Sequence, residues 1–486
     1  MAGLLLLALP ADGLGPVREA PTPTPPPPKV TVAIDAKLPG KRIPRQFLGL
    51  SFELSSAQQI AEYGDRGNMV KLLRSLGPGV LRLGGASADT RVAWVDPLTP
   101  RPAWASSVLD TADLQALGRL ARRSGWHVLL TLGLAHFDEH AAAREVAAAK
   151  AALGPWLAAI EIGNEPDSYA RHALRELPWT PTQYESQVSA YRHAIAAKTP
   201  GIALAGPGVS GSRAFQRWGP AEVHAQDPAL LTGHHYPLSC NTIPSPSIEG
   251  LLSQITREKE AASLARFMAV AHASSIPFRL DETNTVSCGG KAGISNTFAS
   301  ALWAVGYIAR TMAAGAVGIN LQGNPANCLG YSPLCAPTPN RLAAGALHAQ
   351  PEWYALLLAK DLVGDRPLPS RIVSATKPNL TVSVLRTSRG GLHFMIVQDE
   401  PSGTGPVTVR LRVGPRFRTA SILALNAPSR SAQSGVTLGG RAVAADGSWH
   451  ARAPGRALEV HKGIVSVTVP AASAMLVTVT KAGAAG

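Results

Sequence analysis

An α/β chain, a (β/α)8 barrel followed by an antiparallel β-sandwich, is what the 486-residue sequence predicts. Three observations predict it. Eight short apolar runs lie between about Gln46 and Gly323, each followed by a longer stretch with helix patterning. The runs are continuous rather than alternating, as strands of a parallel sheet covered on both faces must be. After about Arg366 the texture changes to apolar/polar alternation with Gly, Pro, Ser and Asn between the segments, which is the pattern of antiparallel strands with one wet face.

Taken in order, the eight runs are Phe47–Phe52, Val80–Leu83, Val128–Leu132, Ala159–Ile162, Ile202–Ala205, Leu230–Gly233, Phe278–Leu280 and Ala316–Asn320. The helical stretch after the fourth shows its own boundaries. Thr180-Pro181-Thr182-Gln183 sets a cap, a first-turn proline and a capping-box glutamine in order, and Thr199-Pro200-Gly201 ends it. Eight β-then-α units in series describe a (β/α)8 barrel. Leu380–Leu385, Val407–Val413, Gly463–Val469 and Ala474–Val479 alternate as sandwich strands, and Val30–Ile34, ahead of the barrel, shares their texture. The expected organisation is a leader and Pro-rich linker over 1–28, a strand joining the sandwich over 29–40, the barrel over 41–365 and the sandwich over 366–486.

Composition narrows the class. With 45% apolar and 16% charged residues the chain is globular, not disordered. Its formal charge of +14 fits an anionic partner, or a compositional bias of an Ala/Arg/Gly/Pro-heavy chain. The run Leu4–Leu9 is too short to span a bilayer and, with Pro21–Pro28 behind it, reads as a secretion-signal remnant and spacer. The implied location is secreted or periplasmic. Four cysteines, Cys240, Cys288, Cys328 and Cys335, show no CxxC spacing, so no metal site is read from them. They permit three disulfide pairings, and sequence alone does not choose. Cys328 and Cys335 flank one loop, while Cys240 and Cys288 follow neighbouring barrel strands; two free thiols there are the alternative.

A barrel concentrates reactive groups where its strands end. After the fourth run stands Gly163-Asn164-Glu165-Pro166-Asp167, after the sixth His234-His235-Tyr236, after the seventh Asp281-Glu282-Thr283-Asn284, and after the eighth Gln322-Gly323-Asn324. Two carboxylates from strands four and seven would face each other across one mouth. That suits glycoside cleavage, in which one acid protonates the leaving oxygen while the other attacks the anomeric carbon. Adjacent strand residues point oppositely, so only one of Asp281 and Glu282 is expected to face the mouth. Glu161, in parity with Glu165, reads as a paired interior group. One of His234 and His235 touching substrate and both being packed structural residues are equally open.

Gly163-Asn164-Glu165-Pro166 resembles the acid/base motif of clan A (β/α)8 glycosidases. The wider pattern resembles glycoside hydrolase family 79, the heparanases and microbial β-glucuronidases. Its pieces are Phe52-Glu53, Leu81-Arg82-Leu83-Gly84-Gly85 with Asp89, and Glu282-Thr283-Asn284 followed by Gly289-Gly290, in a barrel-then-sandwich order. The resemblance implies a retaining enzyme for β-linked glucuronic acid, with Glu165 as acid/base and Glu282 as nucleophile. It implies Arg82 and Tyr236 orienting Glu282, and Asn164, Glu53 and Gln322 on sugar hydroxyls. Gly289, Gly290 and Tyr331 would receive the uronate carboxylate. Ser287-Cys288 stands where heparanases carry a tyrosine before the glycine pair, which bears on the uronate pocket rather than on catalysis. No metal or organic cofactor is implied. The partner implied is an acidic oligo- or polysaccharide; scattered Lys and Arg argue against nucleic acid, and nothing in the sequence reports oligomeric state. A clan A hydrolase of neutral sugars and a catalytically silent sugar-binding barrel are the competing readings.

Overall fold

The structure, a computed structural model, describes residues 27–451 and 456–481. The leader-like run at 4–9 and the Pro-rich segment up to residue 26 lie outside the described residues. All eight apolar runs form strands: Leu48–Glu53, Val80–Gly84, His127–Leu132, Leu157–Ile162, Leu204–Val209, Leu230–His235, Phe278–Thr283 and Gly318–Gly323. They pair in parallel in chain order and close, the eighth onto the first, with Ile319 opposite Leu48 and Gln322 opposite Ser51. Their uninterrupted burial explains the lack of alternation: the outward face packs on helices and the inward face fills the barrel. The centre of this barrel is unusually polar. Ser51, Arg82, Thr131, Glu161, Thr232 and Asp281 are all fully buried there, where a purely structural barrel interior would stack aliphatic layers.

Helix boundaries follow local chemistry. Pro181–Lys198 begins with the expected capping box, Gln183 Oε1 accepting the Thr180 N–H at 2.8 Å. Thr111–Ser124 begins with a second one, between Asp110 and Asp113. No helix among the described residues is long and apolar enough to cross a membrane.

The C-terminal part is two antiparallel-rich sheets face to face. The smaller runs Ser370–Val373, Lys29–Ile34, Val407–Arg412, Ile464–Val469, so the N-terminal strand lies inside it, parallel to Val407–Arg412 with Val30 opposite Val409. The larger runs Arg366–Leu368, Leu380–Arg386, Leu392–Gln398, Ser473–Lys481, Phe417–Asn426, Thr437–Leu438, with Arg456–Glu459 beside Phe417–Asn426. Val32, Phe394, Ile396, Val409, Val467 and Val477 fill the space between the sheets. The larger sheet's other face, including Met395, Val397, Leu425 and Leu476, belongs to the barrel's own core. Helices Phe298–Ala314 and Pro351–Ala359 lie at this junction, apolar on nearly every side because barrel and sheet enclose them. Arg257 crosses the boundary to Asp399 at 3.0 Å. The sandwich therefore braces the side of the barrel formed by the seventh and eighth β/α units.

Candidate active site

Arg82, on the second strand and fully buried, organises the site. A guanidinium has five N–H donors, and here each has an acceptor. Nε and Nη2 donate to Glu161 Oε2 at 3.0 and 2.8 Å, and Nη2 also to Asn164 Oδ1 at 2.9 Å. Nη1 donates to Glu282 Oε2 at 2.7 Å and Ser51 Oγ at 3.2 Å. Glu161 is further held by the hydroxyls of Thr131 and Thr232, both at 2.7 Å. Burial alone would raise its pKa, but the Arg82 charge outweighs that and holds Glu161 at about 2.

Glu282 sits at the end of the seventh strand, and Tyr236 Oη donates to its Oε1 at 2.8 Å. Burial pushes this carboxyl up, yet the charges of His234 and Arg82 and the Tyr236 hydroxyl keep it below its ordinary range. Both oxygens are thus occupied by donors and the group is anionic.

The alternation expected at Asp281 and Glu282 fails here. The seventh strand shifts register against the sixth between Leu280 and Glu282, and that irregularity lets both carboxyls turn towards Arg82. Asp281 Oδ2 lies 2.8 Å from Arg82 Nε, but the single Nε–H is directed at Glu161, leaving Asp281 close and not hydrogen-bonded by it. Burial, and then the neighbouring Glu161, drive the Asp281 pKa well up. Asp281 is the enclosed member of the cluster, fully buried, whereas Glu282 keeps a side chain 10% exposed at the rim.

Glu165 follows the fourth strand in a left-handed backbone conformation, φ 50° and ψ 51°, between Gly163 at φ 78° and Pro166. A non-glycine residue held there signals a position fixed by function or by its surroundings. Its N–H bonds Gly208 O at 2.9 Å, and Trp179 Nε1 bonds Pro166 O at 2.8 Å. Its side chain is 26% exposed, and Oε1 lies 3.0 Å from His234 Nδ1. Burial opposes protonation of His234, but Glu282 and the bond to Glu165 outweigh it and raise its pKa to about 9. The imidazolium sits between the two carboxyl groups: one atom each from Glu165, His234 and Glu282 all lie within 4.8 Å of one another. His235 differs: burial lowers its pKa to about 4.

The remaining candidates ring this pair. Asn164 donates its backbone N–H to Asp89 Oδ2 at 2.9 Å and its Oδ1 accepts from Arg82 Nη2, so its side-chain N–H2 is left over. Asp89 also takes the N–H groups of Leu134 and Ala135, pinning the ends of strands two, three and four together. Glu53 accepts from Ser87 N at 2.9 Å, and burial, then Glu282, raise its pKa. Gln322 is buried with Oε1 unpartnered. Gly289 and Gly290, at φ 89° and 88°, lie against Tyr331, whose N–H bonds Gly289 O at 3.1 Å. A Cβ on Gly290 would meet Tyr331 N at 2.3 Å, so only glycine fits. The Tyr331 and Tyr236 rings stack 5.8 Å apart. Disulfides join Cys240 to Cys288 and Cys328 to Cys335, tying the loops after strands six and seven and closing the loop that carries Tyr331.

Ser51, Thr131 and Thr232 were not singled out from sequence. The signal for them is register: Ser51 stands opposite Arg82 and Thr131 opposite Glu161. Trp94 and Trp218 are core residues, whereas Trp104 is 36% exposed.

Comparison with known proteins meets this geometry from two sides. Residues 395–476 match the family described as "Glycosyl hydrolase family 79 C-terminal beta domain". A β-glucuronidase from Neurospora crassa is 28% identical over 208 residues, 38% of this chain and 35% of that protein. One from Aspergillus niger is 29% identical over 181 residues, 33% of each. The matches thus span about a third of the length of these relatives. Among solved structures, a 4-O-α-L-rhamnosyl-β-D-glucuronidase from Fusarium oxysporum superposes with TM-score 0.75 at 18% identity, covering 93% of this chain and 100% of that one. A family 51 arabinofuranosidase from Xanthomonas axonopodis pv. citri follows at TM-score 0.68 and 13% identity, with the same coverage. These likenesses establish the barrel-plus-β-domain fold. Over residues 395–476 the chain is similar to the C-terminal β domain of glycoside hydrolase family 79.

Proposed function

We propose that the chain is a retaining glycoside hydrolase for β-linked glucuronic acid. The observation that carries this reading is that Glu165 and Glu282, 117 positions apart in sequence (282 − 165), bring carboxyl oxygens within 4.8 Å of each other over one opening. Retaining enzymes hold their two carboxyls about 5–5.5 Å apart, too close for a water between nucleophile and sugar. Glu282 Oε attacks C1 as Glu165 delivers a proton to the departing oxygen. Glu165 then takes a proton from water, which attacks C1 and releases Glu282. Arg82 and Tyr236 keep Glu282 ionised and aimed, His234 fixes the Glu165 carboxyl, and the spare Asn164 N–H2 holds the 2-hydroxyl. Glu53 and Gln322 bind further hydroxyls.

The uronate carboxylate is assigned to Gly289, Gly290 and Tyr331. Supporting this, neither glycine gives its N–H to a protein acceptor among the described residues, and successive free N–H groups form an anion cradle. The curated relatives that match are named β-glucuronidases. Two disulfides fit an enzyme exported to an oxidising compartment, where the positive surface would steer acidic saccharides inward. Aryl β-glucuronide and aryl β-glucoside hydrolysis, assayed side by side with NMR of the first-formed anomer, test the proposal. Faster glucuronide turnover with β-product is expected. Faster glucoside turnover defeats the substrate assignment, and α-product defeats the mechanism.

A further inference from the structure

Four carboxyl groups converge at the barrel mouth, and Arg82 is the guanidinium set among them. Glu161 and Asp281 are fully buried, Glu282 is nearly so, and Glu165 closes the group at the rim. Arg279, the second buried arginine of the barrel, is bonded to Asn320 and to the carbonyls of Gln46 and Phe47, at the end of the strands away from the mouth. The pKa values of Glu161 and Glu282 are both held down, so both are ionised. The single charge of Arg82 therefore leaves one enclosed negative charge without a counterpart, and an unbalanced buried charge is costly. Another group in the cluster must be positive.

His234 is placed to be that group. Its ring stands at the end of the sixth strand, fully buried, with carboxyl oxygens facing both of its nitrogens. Nδ1 lies 3.0 Å from Glu165 Oε1 and 4.0 Å from Glu282 Oε2. Nε2 lies 3.8 Å from Asp281 Oδ1, and neither of these two atoms has a hydrogen-bond partner. A neutral imidazole carries one N–H and one lone pair, so on one side it would turn a lone pair towards a carboxyl oxygen. The doubly protonated ring presents N–H on both sides. The charged and titratable groups around it are Glu161 and Glu165 from the fourth strand and the turn after it, Asp281 and Glu282 from the seventh, and Arg82 from the second. Four acids against one cation favour the charged ring, in keeping with its raised pKa.

We infer that His234 is a positioning residue that acts through both catalytic carboxyls in turn: its charge balances Glu282 in the free enzyme and Glu165 once Glu282 is esterified. This rests on the double displacement proposed above. In the first step the bond from Glu282 to C1 forms, the bond from C1 to the leaving oxygen breaks, and the Glu165 proton goes to that oxygen. Negative charge thus leaves Glu282 and appears on Glu165. In the second step water attacks C1, a water proton goes to Glu165, and the bond from C1 to Glu282 breaks, so the charge returns. Because Nδ1 stands within 4.0 Å of both carboxyls, one fixed cation serves each state without moving. Arg82 reaches Glu282 alone of the two.

The test is His234→Gln, which keeps a donor and removes the charge, with His234→Asn as a second variant and a thermal melt on each. Two pH profiles are read on whichever aryl β-glycoside, glucuronide or glucoside, the protein hydrolyses. The acid limb of kcat/KM follows Glu282 in the free enzyme, and that of kcat on a highly activated leaving group follows Glu165 in the intermediate. Both limbs should move to higher pH by about 1–3 units, as when a carboxylate loses a neighbouring cation. Limbs that stay in place in a folded variant, or a shift in one alone, overturn the shared role. Should neither variant fold, ¹⁵N-histidine NMR of the intact protein decides, at about pH 8, where ordinary histidines are neutral. A doubly protonated ring whose signals shift on trapping with a 2-fluoro-glycoside is expected in both the free and the trapped enzyme; its absence from either overturns the inference. If no adduct forms on Glu282, the double displacement itself has failed, and the free enzyme's spectrum still decides whether the ring is charged.

Discussion

Tyr236→Phe tests the electrostatics of the site most cleanly, because it removes one hydroxyl and keeps the ring that stacks on Tyr331. The hydroxyl lost donates to Glu282 Oε1 at 2.8 Å. A hydrogen bond to a charged group is worth about 1.5–3 kcal/mol. At about 1.4 kcal/mol per unit of pKa, its loss lifts the Glu282 pKa by about 1–2 units, while Arg82 and His234 still hold the carboxylate. The sign is fixed by the chemistry: Glu282 must be ionised to attack, its pKa is depressed in the folded enzyme, and activity is lost as pH falls through that value. The acid limb of kcat/KM should therefore move to higher pH in the variant, by about 1–2 units. The assay is the pH profile of aryl β-glucuronide hydrolysis, with a thermal melt to verify folding. An acid limb that stays in place in a folded variant refutes the assignment of Tyr236, and of Glu282 as the ionised nucleophile.

Three further outcomes are expected. Glu165→Gln should slow hydrolysis of glycosides with poor leaving groups by about 10²–10⁴, with much less effect on activated aryl glycosides and with rescue by azide; equal loss on both would assign Glu165 another role. Glu352 is fully buried against Asn284, and burial raises its pKa from 4.5 to about 8. The folded state holds this proton while the unfolded state releases it, so the stability it contributes is full below pH 4.5 and lost as pH rises to about 8. Melting temperatures of Glu352→Gln and the parent should diverge in the variant's favour across that window; parallel curves would show that the group is not protonated. Replacing Cys240 and Cys288 together by serine opens a loop spanning 48 residues, which chain entropy puts at about 4 kcal/mol. A denaturant titration should show a loss of that order, and KM should rise as Tyr236 and Gly289 lose their tether.

What could be read from sequence was what local pattern encodes. Continuous apolar runs gave the barrel strands, alternation gave the sandwich, and the strand-end rule gave Glu165, Glu282, Tyr236 and Gln322 their neighbourhood. What escaped depends on distances across the barrel. The five-donor arrangement of Arg82 needs Ser51, Asn164, Glu161 and Glu282 from four other positions to converge, and no spacing announces that. Asp281 and Glu282 were expected to face apart because strands alternate, but a register shift of the seventh strand turned both inward. His234 was undecided because neighbouring histidines look alike; against burial, the Glu282 charge and the bond to Glu165 raise the pKa of His234, whereas burial alone lowers that of His235.

The most direct measurement is covalent trapping with a fluorinated β-glucuronide bearing an activated leaving group, followed by peptide mapping. One label per chain on the peptide containing Glu282, abolished in Glu282→Gln, is the expected result. A label on Asp281 or elsewhere, or turnover with inversion and no trapped adduct, would contradict the double-displacement mechanism.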